Sequence, residues 1–97
     1  MSEELRPSIQ LFGAEGCHLC VEARLVAEPV LAAYGLQLDY VLIDADPQLE
    51  AAYRAEIPVL CIDGRRVAKY RVDGDELHRA LTSRGIRRRA SGNPDVY

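Results

Sequence analysis

Two cysteines two residues apart, Cys17 and Cys20, stand where a short apolar run gives way to a long amphipathic stretch. That junction restricts the fold more than any other feature of the chain. The apolar run, Ile9 to Phe12, follows Pro7 and stops at Gly13, which predicts a buried strand. Beyond the loop Gly13-Ala14-Glu15-Gly16, apolar positions recur at Cys20, Ala23, Ala27, Val30, Leu31 and Tyr34. Intervals of three and four residues put these on one face of a helix, with Gly35 as its C-terminal stop. Pro29 falls inside that helix and is expected to kink it or split off its last turn.

The rest of the chain continues the alternation. Leu36 to Ile43 predicts a second strand, and Asp46-Pro47 predicts a helix from Pro47 to about Ala55, burying Leu49, Ala52 and Tyr53. Ile57 to Ile62 predicts a third strand, opening with a proline where a missing N–H is tolerated. Asp63-Gly64 is a hairpin turn signal, and Val67 to Val72 is the returning strand. Asp73 caps a last helix that turns Leu77, Ala80 and Leu81 inward, with Glu76 supporting its start and Gly85 ending it. The order is β-α-β-α-β-β-α. A strand-helix-strand start requires a parallel pair, the hairpin adds an antiparallel pair, and four strands with three helices close one α/β core.

Ninety-seven residues suffice for one domain and not two. The expected division is a folded domain over 1–85 and a basic tail over 86–97. The net charge of −3 is uneven: residues 1–83 carry eight Arg or Lys against fourteen Asp or Glu, whereas 84–97 carry four Arg against Asp95. An acidic body argues against nucleic acid as the main partner, and a short arginine-rich tail reads first as a solvated segment. The N-terminus offers no apolar core for an export signal, and the longest apolar runs, Tyr40–Ile43 and Pro58–Ile62, are too short to span a membrane. A cytoplasmic monomer is expected, in a compartment where thiols stay reduced.

Three cysteines cannot all pair within one chain, and a pair only two residues apart fits catalysis or metal binding better than a disulfide scaffold. At a helix start, unpaired N–H groups and the positive helix end favour a thiolate, so Cys17 reads as the nucleophile. Cys20, a turn further in and more buried, reads as the resolving thiol. His18 either adds positive charge when protonated or is an exposed surface side chain. Zinc is the competing use of the pair, but it needs about four ligands. Cys61 in an apolar strand and His78 on a later helix make poor candidates. Cys61 reads as a buried hydrophobe, Tyr34 and Tyr53 as core, and Tyr70 and Arg71 either as groove lining or as a solvated strand face.

The stretch Leu11-Phe12-Gly13-Ala14-Glu15-Gly16-Cys17-His18-Leu19-Cys20 resembles the active-site opening of the glutaredoxin-like branch of the thioredoxin superfamily. Ile43-Asp44, Asp46-Pro47, Ile57-Pro58-Val59-Leu60 and Asp63-Gly64 extend the resemblance over residues 9 to about 83. It implies a thioredoxin-like fold with a mixed central sheet and a cis bond between Ile57 and Pro58. It also implies a substrate platform in which the Ile57 backbone, Pro58 and the helix start at Asp73 lie around Cys17, with His18 beside it. The chain departs from typical relatives at His18-Leu19 and Glu56-Ile57-Pro58. It also lacks a Gly-Gly pair before the last helix and a lysine ahead of Cys17. These departures argue against a dedicated glutathione site, although glutathione can still serve as an external reductant. The expectation is a thiol-disulfide oxidoreductase acting on a disulfide-bearing protein or small thiol, with no tightly bound cofactor. The alternatives are a redox-sensing or binding module without turnover, and a metal or iron–sulfur carrier using Cys17.

Overall fold

A computed structural model describes residues 7–88 of the chain. Glu3, Glu4, Arg6 and, from the expected tail, residues 89–97 lie outside the described residues. The elements follow in the order β1 (Ile9–Gly13), α1 (His18–Ala33), β2 (Asp39–Leu42), a 3-10 turn (Ile43–Ala45), α2 (Pro47–Tyr53), β3 (Val59–Ile62), β4 (Arg65–Lys69) and α3 (Gly74–Ser83). The sheet order is β2-β1-β3-β4. β1 runs parallel to β2, with Leu11 opposite Tyr40, and antiparallel to β3, with Leu11 opposite Leu60. β4 returns antiparallel beside β3 through Asp63 and Gly64, both at positive φ as a two-residue hairpin turn requires. This is the α/β arrangement expected, a mixed four-stranded sheet with three helices.

Strand alternation sorts the two central strands into two faces. Ile9 and Leu11 of β1 and Leu60 and Ile62 of β3 join Ala23, Ala27 and Leu31 of α1 and Leu77 and Leu81 of α3 in the larger core. Phe12, Val59 and Cys61 point the other way, into a smaller cluster with Ala14 and Ile43 that Leu49 and Tyr53 of α2 partly cover. The Tyr53 ring stacks on Phe12 at 4.3 Å between centroids, and the Arg66 guanidinium sits 4.9 Å from the Tyr53 ring centroid as a cation–π partner. α1 and α3 therefore pack on one face and α2 on the other.

Several boundaries differ from the sequence reading, each for a local reason. α1 continues unbroken through Pro29. The proline is exposed, and the bond that it omits would have gone to the carbonyl of Leu25, a residue 66% exposed, where solvent takes its place. The second strand starts at Asp39 rather than Leu36, because the Leu36 N–H donates to the Leu31 carbonyl and that of Gly35 to Ala32. This pair of bonds, with Gly35 at φ +72°, closes α1 as a Schellman motif. α2 ends at Tyr53, and Ala52 is exposed, since a seven-residue helix meets the sheet only along Leu49 and Tyr53, four residues apart. β3 begins after Pro58, which has no N–H to give. β4 covers Arg65–Lys69 rather than Val67–Val72, because Tyr70 takes φ +73° and cannot extend a strand.

Candidate active site at the start of the first helix

β1 ends at Gly13, and the chain needs only four residues to reach the helix start. Glycine is required at 13 by close approach. A Cβ there would lie 2.7 Å from the Tyr40 hydroxyl and 3.0 Å from the Cys20 Cβ. The absent side chain thus lets β2 and α1 close over the end of β1. The loop is tethered from outside by Asp44, whose carboxylate accepts the Glu15 N–H at 2.8 Å and pairs with Arg54 at 3.4 Å. Arg54 also pairs with Glu50, and these two acids, Glu50 first, push its guanidinium further toward the charged form. Asp44 belongs to the segment that carried the family resemblance, yet its tether spans 29 residues and had no signal in the local sequence.

Cys17 is the N-cap of α1, at φ −90° and ψ 108°, and its Sγ accepts the Cys20 N–H at 3.1 Å. Its own N–H donates to the Ala14 carbonyl, which turns the loop into the helix. Cys17 and Cys20 are joined as a disulfide with their Cα atoms 5.2 Å apart. They differ sharply in access. Cys20 is fully buried, whereas Cys17 is half-buried at the surface. No acidic residue occupies the first helical turn, so nothing there competes for the free N–H groups. His18 is exposed at the first helical position, and Leu19, between the cysteines, is 52% exposed.

The Ile57–Pro58 peptide bond is cis. Ile57 and Cys17 pack against the same small cluster of Phe12, Ala14, Ile43, Val59 and Cys61, so one apolar floor underlies both. Pro58 is buried, and Ile57 is half-buried. Within the described residues no hydrogen bond engages the Ile57 N–H or carbonyl. Tyr70 secures both flanks instead: its N–H donates to the Pro58 carbonyl at 2.8 Å and to the Glu56 carbonyl at 3.1 Å. A tyrosine at positive φ costs on the order of 1–3 kcal/mol, which this fork helps to hold.

Asp73 is the N-cap of α3, and its carboxylate accepts the N–H groups of Asp75 and Glu76. Gly74, next to it, faces Val26 and Val30 in the middle of α1 rather than the cysteine end. The structure thus gathers Cys17, Cys20, His18, Ile57 and Pro58 at one end of the sheet, and places Asp73 further along α1. Among the described residues no group of three or more His, Cys, Asp and Glu is arranged to hold a metal ion. Cys61 is a buried free thiol whose burial pushes it toward the protonated form, partly offset by Arg66 and Tyr53.

The chain is similar to known proteins along most of its length. The family model described as a glutaredoxin-like domain (DUF836) matches residues 8–82. The X-ray structure of protein XcR50 from X. campestris is 31% identical, with 78% of this chain and 97% of that one covered, at a TM-score of 0.64. The solution structure of protein Ne2328 from Nitrosomonas europaea is 25% identical, covering 76% and 89%, at 0.66. Oxidised thioredoxin from Plasmodium falciparum shares the fold at 17% identity, covering 84% and 82%, with a TM-score of 0.55. No curated protein sequence matches the chain. Because the family match takes in nearly the whole described fold, including the cysteine pair, the chain belongs to the glutaredoxin-like domain (DUF836) family and is a redox-related protein of thioredoxin fold.

Proposed function

We propose that the protein is a thiol-disulfide oxidoreductase that reduces a disulfide on a protein or a small thiol. The observation that carries this reading is the unequal pair: an accessible Cys17 capping α1, bonded to a fully buried Cys20. In the reduced form the free N–H groups at the helix start favour negative charge on the Cys17 sulfur. The Cys17 thiolate attacks one sulfur of the partner disulfide, forming a mixed disulfide as the partner's S–S bond breaks and its far sulfur leaves as a thiolate. Cys20 then gives its proton to solvent and attacks the Cys17 sulfur. The Cys17–Cys20 bond forms, and the second partner thiolate leaves. The partner gains two electrons and the chain loses two; two equivalents of an external thiol such as glutathione then restore the dithiol and leave joined as their own disulfide.

The free N–H and carbonyl of Ile57 support this reading, since an extended partner segment can pair with them as a strand would. The N–H groups at the start of α3 are already taken by Asp73, which favours glutathione as a reductant in solution over glutathione held in a dedicated site. No tightly bound cofactor and no nucleic acid or membrane partner enter the proposal. No helix among the described residues is long and apolar enough to cross a membrane, and a cytoplasmic monomer remains the proposed state.

The test is reduction of a model disulfide by the purified protein with a dithiol or with glutathione, beside Cys17→Ser and Cys20→Ser. The expected result is turnover by wild type, none by Cys17→Ser, and a trapped mixed disulfide with Cys20→Ser. Absence of turnover by wild type with every thiol reductant would sink the reading and leave a sensing or binding module.

A further inference from the structure

A helix packed on a sheet turns polar side chains outward, and α3 does so: its exposed residues are Asp75, Glu76, Arg79, Thr82 and Ser83. α1 does not. Of the six large apolar side chains exposed among the described residues, four lie on α1 within nine residues of Cys17: Leu19, Val21, Leu25 and Val26. Leu25 is 66% exposed. A fifth, Leu42, stands opposite Gly13 at the end of β2, where β1 leads toward the cysteines. Val21 donates its N–H to the Cys17 carbonyl at 3.2 Å, so it lies one turn below the nucleophile, and Leu25 lies one turn below Val21. Cys17, Val21 and Leu25 thus form one ridge of four-residue steps, running about 12 Å down the helix from Cys17. Charge marks its border. Glu22 on α1 and Glu15 in the loop are exposed, and neither carboxylate pairs with a cation among the described residues. Arg24, the one arginine on α1, is already held by Glu28 at 2.9 Å and lies 4.9 Å from the Tyr40 ring centroid.

We propose that this outward face of α1 is the docking surface for a protein substrate whose disulfide lies in an apolar patch bordered by Lys or Arg. This rests on the oxidoreductase reading above and narrows its substrate class from a protein or small thiol to a protein. The ridge begins at Cys17, so whatever covers it also lies against the reacting sulfur. A compact charged thiol at Cys17 leaves Leu25, about 12 Å away, in water, whereas a protein surface covers the whole ridge. The unpaired Glu22 and Glu15 carboxylates complement a basic border on that surface. A second copy of this chain would bring the same carboxylates onto the face and would cover Cys17, closing the site.

The experiment follows exchange of the reduced protein with three eleven-residue peptides. Each has a central cysteine bonded to the same uncharged aromatic thiol, whose release is read by absorbance. The first carries Leu two and four residues to either side of the cysteine and Lys at both ends. In an extended chain those leucines lie about 6.6 and 13 Å from the cysteine, close to the spacing of Val21 and Leu25 from Cys17. The second peptide has Ser for each Leu, and the third Glu for each Lys. Every rate is divided by that with the symmetric disulfide of the aromatic thiol. Wild type is expected to exchange with the first peptide about tenfold faster than with the second, and about threefold faster than with the third at low salt. Replacing the ridge by a good helix former, Val21→Gln with Leu25→Gln, should bring the first ratio close to one, and Glu22→Gln should lower the second. A first ratio near one in wild type, or an undiminished one in the double variant, overturns the docking surface while exchange itself stands. So does a wild-type dimer that the double variant dissolves, which gives the face to a second copy. A faster rate with Glu than with Lys overturns the basic border. Failure of wild type to exchange with any peptide and with the symmetric disulfide removes the oxidoreductase reading, and this inference with it.

Discussion

The three cysteines occupy three different environments, and access and charge rank them. Cys17 is half-buried at the helix cap, Cys20 is fully buried behind it, and Cys61 lies in the smaller core. Burial raises the Cys61 thiol above its ordinary value, while the unfolded chain keeps that value. The unfolded form therefore releases this proton first, so the contribution of Cys61 to stability is intact below about pH 8.5 and falls as the pH climbs beyond it. In the reduced protein near neutral pH, alkylation followed by mass spectrometry should label Cys17 first. Cys61 should label only in denaturant or at clearly alkaline pH. Faster labelling of Cys20 or Cys61 would reverse the assignment of nucleophile. The place of the cysteine pair at a strand-to-helix junction could be read from spacing and periodicity. The Asp44 tether and the Tyr40 contact over Gly13 could not, because each joins residues 27 or more apart in the chain.

At the scale of elements, each start and stop signal acts within one turn of itself. Asp46 and Asp73 cap α2 and α3 as their positions before Pro47 and Gly74 suggest, each accepting two backbone N–H groups. Asp73→Ala should cost about 1 kcal/mol, and Asp73→Asn, which still accepts those N–H groups, much less. For a chain of this length that is a fall of roughly 4–8 °C in Tm for alanine, read by thermal unfolding. Equal losses for Ala and Asn would show that the carboxylate charge, and not the cap, is what α3 needs. β2 and β4 departed from expectation where a backbone N–H went to another partner. Leu36 gives its N–H to α1, and Tyr70 gives its own to residues 56 and 58. Periodicity reports which side chains want burial, but it does not report where a backbone N–H finds its partner.

For the whole molecule, the sheet centre carries the fold and the disulfide carries little of it. Leu60 is fully buried in β3, between β1 and β4 and under the helices of the larger core. Leu60→Ala should cost about 2–5 kcal/mol. The Cys17–Cys20 bond has a sequence separation of 3, and so short a loop constrains the unfolded chain by only about 2 kcal/mol. Reduction should therefore leave the protein folded, with a smaller drop in Tm than Leu60→Ala produces. Unfolding on reduction would make the pair a structural staple. A fold that survives both redox states is what a cycling dithiol requires.

The sequence by itself determined the element order, the two-faced character of the central strands, the helix caps and the placing of Cys17 and Cys20 at a strand-to-helix junction. These follow from side-chain periodicity and from backbone chemistry confined to a few neighbouring residues. Only the tertiary structure decided that Ile57 shares an apolar floor with Cys17, that Asp73 spends its carboxylate on its own helix, and that Tyr70 holds the segment around Ile57. Those arrangements depend on which strands lie side by side. Hydrogen bonds and packing between residues distant in sequence form only once the sheet has brought them within a few ångströms of each other.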